Sequence, residues 1–264
     1  MPVTGAAAIF VHGIFSSPAA WEPIARLIGQ DEDLLGLTLL PFEYASPKFS
    51  WSPLRRVPNY NVLADNFQTY LDVDAADYSK LILVSHSQGG LIVQRYLARM
   101  LTNGRGRDLQ RIRRIVMFAC PSSGSEVFIL ARRWAPFFRN PQERELRPIN
   151  EAVTEAQKIV VSRVVHAECI SSDRCPIPIV AYAGESDNVV TPTSARAVFP
   201  NTGVIPGDHS SIIRPDSSSH RCYTTLRSNL ITALADPFPT GSGPAAADAP
   251  VRAPADVPPG SQML

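Results

Sequence analysis

Ser87 stands at the junction of two patterns. The apolar run Leu81-Ile82-Leu83-Val84 reads as a buried strand, and helical spacing opens directly after it at Gln88. A sharp turn between strand and helix pushes such a serine out at the end of a sheet, and this requires small neighbours. Gly89, two residues after Ser87, meets that demand fully; Ser85, two residues before, is small but carries a Cβ, which tightens the fit. A serine hydroxyl is a weak nucleophile at neutral pH. Covalent chemistry at Ser87 therefore needs an imidazole to take its proton and an acid to orient that imidazole. Downstream, Gly184-Glu185-Ser186-Asp187 places Asp187 just past a strand end, and His209 sits in the loop Pro206-Gly207-Asp208-His209. Open parallel sheets gather ligand groups at such strand ends. Glu185, Asp208 and Glu126 are rival acids. A tetrahedral intermediate would also need N–H donors for its oxyanion, worth roughly 2.7–4 kcal/mol each. The Gln88 amide at the start of the helix is one candidate, and the Ile14 amide, after the flexible Gly13, is the other.

The elements that must position these residues alternate. Strands are expected over 6–11, 37–44, 80–85, 112–120 and 177–183, with a short one near 202–205. Helices are expected over 18–30 (with Ser17 as N-cap), 61–72, 88–101 and 217–235, the second burying Val62, Phe67, Tyr70 and Leu71. Nearly continuous apolar strands between helices indicate an α/β fold, a mostly parallel sheet covered on both faces. The region 122–176 is too long for a crossover and is expected to be an inserted helical cap on a domain spanning 1–236. Residues 237–264 are rich in Pro, Ala and Gly and read as a disordered tail or linker.

Composition bounds the rest. The chain has 264 residues, 45% hydrophobic, a net charge of +1 and 4 cysteines. Near-neutral charge argues against nucleic acid as a partner, and sparse cysteines suit a reducing compartment. No basic leader or membrane-length apolar run is seen, so a cytoplasmic location is expected. His166, Cys169 and Cys175 lack a convincing fourth metal ligand, so no metal is expected. Gly104-Arg105-Gly106-Arg107 follows a helix and lacks a third glycine, which rules out a dinucleotide loop. The basic run Arg105, Arg107, Arg111, Arg113, Arg114 reads as a solvated turn at the edge opposite the site. His86 and His12 are expected to pack or hydrogen-bond and not to act as the base.

Together, Phe10-Val11-His12-Gly13-Ile14, Ser85-His86-Ser87-Gln88-Gly89-Gly90, Gly184-Glu185-Ser186-Asp187 and Gly207-Asp208-His209-Ser210 resemble the α/β-hydrolase superfamily. Within it the chain is most similar to bacterial lipases and esterases and to GPI inositol-deacylase-like hydrolases. The resemblance covers about residues 3–236, without the leading antiparallel strands of larger members. It implies Ser87 as nucleophile, Asp187 as acid, His209 as base, Ile14 and Gln88 as oxyanion donors, and no cofactor. The activity implied is that of a serine carboxylester hydrolase on lipid or other small acyl esters. Phe15 and the aromatic residues Trp134, Phe137 and Phe138 of the expected cap would contact substrate, and Arg132 and Arg133 beside them suit transient contact with a membrane surface. Two alternatives stand beside this reading: a hydrolase-fold effector or interaction module within a larger signalling or defence protein, and a thioesterase or amidase using the same triad.

Overall fold

Alternation along each strand divides the apolar residues of the sheet between two cores. In the computed structural model, which describes residues 5–44, 60–121, 143–193 and 198–236 (of 143–150 only the backbone), six parallel strands lie in the order β2-β1-β3-β4-β5-β6. They are β1 (Ala6–Val11), β2 (Leu37–Phe42), β3 (Lys80–His86), β4 (Ile112–Phe118), β5 (Ile179–Gly184) and β6 (Thr202–Ile205). Ala7, Ile9, Val11, Leu81, Leu83, Ile115 and Met117 point to one face. Ala8, Phe10, Ile82, Val84, Val116 and Phe118 point to the other. Both sets are buried, the pattern of a doubly covered parallel sheet.

The first face is covered by α2 (Tyr60–Val73), α3 (Gln88–Thr102) and α4 (Glu143–Val160). The second is covered by α1 (Glu22–Ile28) and α5 (Arg221–Ala235). Each large aliphatic or aromatic side chain moved from water into these layers contributes about 1.5–3 kcal/mol. The buried face of α2 is Tyr60, Leu63, Ala64, Phe67 and Leu71, with Tyr70 half-buried; Val62, expected inside, is exposed instead. The expected helix 18–30 begins as a 3-10 turn at Pro18–Trp21, and Ser17 makes no side-chain capping bond. In α4, part of the stretch expected to form an inserted cap, Val153, Ala156 and Val160 are buried, and Val153 and Val160 join the core against α3. This helix does the work of the crossover between β4 and β5. Residues 122–142 of that stretch and the expected tail at 237–264 lie outside the described residues.

The basic run is not simply a solvated turn. Arg111 donates to the Leu71 carbonyl in the last turn of α2 and to the Ala75 carbonyl just past it, and Arg114 donates to Asn229 of α5. Lys80 likewise donates to the Leu234 and Asp236 carbonyls at the end of α5. Cations placed there satisfy carbonyls that helix ends leave unpaired. At the same end of the sheet, Asp31 accepts from Tyr223 at 2.8 Å and Arg227 at 2.5 Å, tying α5 to the turn between α1 and β2.

Candidate active site

Ser87 adopts φ 51° and ψ −124°, a conformation that costs on the order of 1–3 kcal/mol for a residue with a Cβ. Hydrogen bonds on both sides over-determine it: Ser87 N–H donates to the Phe118 carbonyl and Gly90 N–H donates to the Ser87 carbonyl, each at 3.0 Å. The small neighbours are needed for contact as well as strain. A Cβ on Gly89 would lie 2.4 Å from the Val11 carbonyl oxygen, and one on Gly90 would lie 2.5 Å from Cys120 Sγ. The start of α3 therefore rests directly on the end of β1. Ser85 fits where glycine is usual because its hydroxyl meets Cys120 Sγ at 3.5 Å. The other non-glycine residues with positive φ among those described, Phe15 (55°) and Ala119 (48°), follow β1 and β4 at this same edge.

The structure brings Ser87, His209 and Asp187 together. Ser87 Oγ is 2.8 Å from His209 Nε2, and His209 Nδ1 is 2.9 Å from Asp187 Oδ2. A carboxylate only accepts hydrogen bonds, so Nδ1 carries the proton and Nε2 is left to accept from the serine hydroxyl. All three residues are buried. Asp187 Oδ1 accepts from the amides of Val189 at 2.7 Å and Val190 at 3.1 Å. Burial pushes this carboxyl's pKa up, but the His209 hydrogen bond and charge and the two amides outweigh it, so the pKa lies below its usual value. Of the rival acids, Asp208 accepts from the Ser210 and Ser211 amides and braces the loop, Glu185 is exposed, and Glu126 lies outside the described residues.

The loop after β1 closes over the serine. A Cβ on Gly13 would come within 3.0 Å of Ser87 Cβ, which puts the half-buried Ile14 and Phe15 one and two residues from that contact. Gln88 opens α3 immediately after Ser87, where free N–H groups and the helix dipole favour negative charge. His12 stacks on Tyr44 with ring centroids 4.2 Å apart, and the Tyr44 hydroxyl donates to the His12 carbonyl at 2.7 Å. His86 Nε2 donates to the His209 carbonyl at 2.7 Å. Gln88 Nε2 donates to the Tyr60 hydroxyl at 3.1 Å. The sequence does not single out Tyr44, Tyr60 or Cys120: Tyr44 and Cys120 read there as strand ends and Tyr60 as the end of a loop, whereas Tyr60 opens α2 and is buried. Trp134, Phe137 and Phe138 lie outside the described residues. No cluster suited to a metal occurs among the described residues, and Cys169 and Cys175 are free thiols. No helix among them is long and apolar enough to cross a membrane.

A six-stranded parallel sheet with a strained serine between β3 and α3, and acid and histidine after β5 and β6, defines a hydrolase architecture. The chain belongs to the Alpha/beta hydrolase family, which it matches over residues 8–258. No curated protein matches it in sequence. Among solved structures it resembles a carboxylesterase from Nitrososphaera gargenis, with 14% identity, a TM-score of 0.55 and coverage of 88% of this chain and 92% of that one. It also resembles an extracellular α/β-hydrolase from a Paenibacillus species (15% identity, TM-score 0.51, 87% and 99% covered). A haloalkane dehalogenase from Bradyrhizobium elkani is similarly close (14%, 0.52, 88% and 91%). At these identities the likeness is one of fold.

Proposed function

We propose that the protein is a serine hydrolase acting on carboxylic esters, with Ser87 as nucleophile, His209 as general base and acid, and Asp187 orienting the imidazole. The observation that carries the reading is the unbroken run Ser87 Oγ–His209 Nε2 (2.8 Å) and His209 Nδ1–Asp187 Oδ2 (2.9 Å). In this mechanism Ser87 Oγ attacks the ester carbonyl carbon as its proton passes to His209 Nε2. The carbonyl oxygen takes the negative charge and accepts from the Gln88 and Ile14 amides. Collapse expels the alcohol, which leaves with the proton from His209. Water then attacks the acyl-enzyme, again giving its proton to His209, and the acid departs as Ser87 regains its hydrogen. Asp187 stays ionised throughout and stabilises the imidazolium. No step calls on a metal or an organic cofactor.

A preference for lipid esters is motivated by the sequence alone, where Trp134, Phe137 and Phe138 stand beside Arg132 and Arg133, a composition suited to acyl chains at a lipid boundary, and by Phe15 in the loop after β1. The test is a panel of p-nitrophenyl esters of graded chain length, phospholipids and matched thioesters, run on wild type and Ser87→Ala. Turnover of oxygen esters that vanishes in Ser87→Ala supports the reading. Hydrolysis of thioesters alone would move the assignment to a thioesterase, and undiminished turnover by the variant would refute it.

A further inference from the structure

His86 makes a second connection between the serine turn and the base. Ser87 meets the ring of His209, while the preceding residue meets its main chain: His86 Nε2 lies 2.7 Å from the His209 carbonyl oxygen. We propose that His86 is a positioning residue, a strut whose Nε2–H fixes the backbone of His209 and so holds the base in register with the serine hydroxyl. This role rests on the serine-hydrolase reading above. A carbonyl oxygen can only accept, so the His86 proton is on Nε2 and Nδ1 carries the lone pair. That Nδ1 faces the oxyanion loop, because a Cβ on Gly13 would come within 3.1 Å of it. The same ring thus separates the loop after β1 from the loop after β6.

Two ring contacts and the strand fix the ring itself. Trp21 meets it edge-on at 6.5 Å and 87°, the His209 ring lies against it at 5.4 Å and 47°, and the backbone of β3 carries it. Burial foremost, and then the charge of His209, push its pKa down to about 3. The ring therefore keeps its neutral form and its single donor throughout the working range. A neutral neighbour also spares His209 a second positive charge when it becomes an imidazolium. A 1 Å misplacement of a reacting group can cost on the order of 10²-fold in rate, so the 2.7 Å strut has a catalytic consequence although His86 touches no substrate.

The test is a donor rescue. In His86→Gln the side-chain amide N–H reaches the place of Nε2; His86→Met fills similar volume without a donor. We expect His86→Met to lose on the order of 10²-fold in kcat with KM little changed. His86→Gln should recover most of that loss; His86→Met, which leaves the buried His209 carbonyl without its donor, should also unfold at a lower temperature, so kcat is compared well below both midpoints. Equal loss in both, or loss in neither, overturns the proposal. Ser87→Ala run alongside separates the two readings. Turnover that survives there overturns the serine assignment and this role with it; turnover lost there, with Met and Gln equally active, overturns the role of His86 alone. Should the variants not fold, nitrogen-labelled histidine in the wild-type protein answers by NMR. An Nε2–H tautomer of His86 supports the strut, and an Nδ1–H tautomer rules it out.

Discussion

His86 should also leave a signature on stability. In the folded chain, burial and the nearby charge of His209 hold its pKa near 3, outweighing the opposing hydrogen bond to the His209 carbonyl and the charge of Asp187. In the unfolded chain it titrates near its ordinary value of about 6.5. Below that pH the unfolded state binds a proton that the native state refuses, so stability falls as pH falls. The cost begins near the unfolded value and levels off only near the folded one. Between pH 7 and pH 5 it amounts to about 2 kcal/mol. Any folded value below about 4 gives nearly the same figure, because the unfolded state alone titrates in that window. The perturbation is His86→Gln, which removes the titration and keeps the donor. Urea unfolding followed by tryptophan fluorescence at pH 7, 6 and 5 measures both proteins. Wild type should lose about 2 kcal/mol more than the variant between pH 7 and 5. Parallel pH dependences would mean that His86 is protonated in the fold, and the reasoning from burial would fail.

Three further perturbations test other parts of the site. Gly89→Ala drives a Cβ to 2.4 Å from the Val11 carbonyl and 2.8 Å from that of His12, both main chain. Denaturant unfolding should show a loss of about 1–3 kcal/mol or more, with turnover reduced besides. Asp187→Asn puts an amide where Nδ1–H of His209 needs an acceptor, so the wrong tautomer faces Ser87 and kcat should fall on the order of 10⁴-fold in a folded protein. Tyr44→Phe leaves the buried His12 carbonyl without its 2.7 Å donor. The cost should be about 1–3 kcal/mol, read from thermal unfolding, with weaker turnover because the loop carrying Gly13 and Ile14 loosens.

The strands and the chemistry-bearing residues were legible because their signals are local. Continuous apolar runs such as Leu81–Val84 mark doubly buried strands, and Ser87, Asp187 and His209 each sit where such a run or its loop ends. What escaped were contacts between distant residues. The bond from His86 to His209 spans 123 positions, and that from Tyr44 to His12 spans 32, with no periodicity to announce either. Helix faces were half legible. Val62 has the hydrophobicity of a core residue, yet one residue of rotation puts Leu63 and Ala64 inside and leaves Val62 in water. The spacing of Val153, Ala156 and Val160 reveals a helix, but nothing in it says whether that helix caps the site or packs on α3. Length suggests a cap; what the described residues show is that α4 packs on α3 in the connection between β4 and β5.

The most direct measurement is to treat the protein with a fluorophosphonate and locate the adduct by mass spectrometry. The account predicts one phosphonylated residue, Ser87, with labelling abolished in Ser87→Ala and greatly slowed in His209→Ala. An adduct on another serine, or labelling of Ser87 at an undiminished rate without His209, would contradict it.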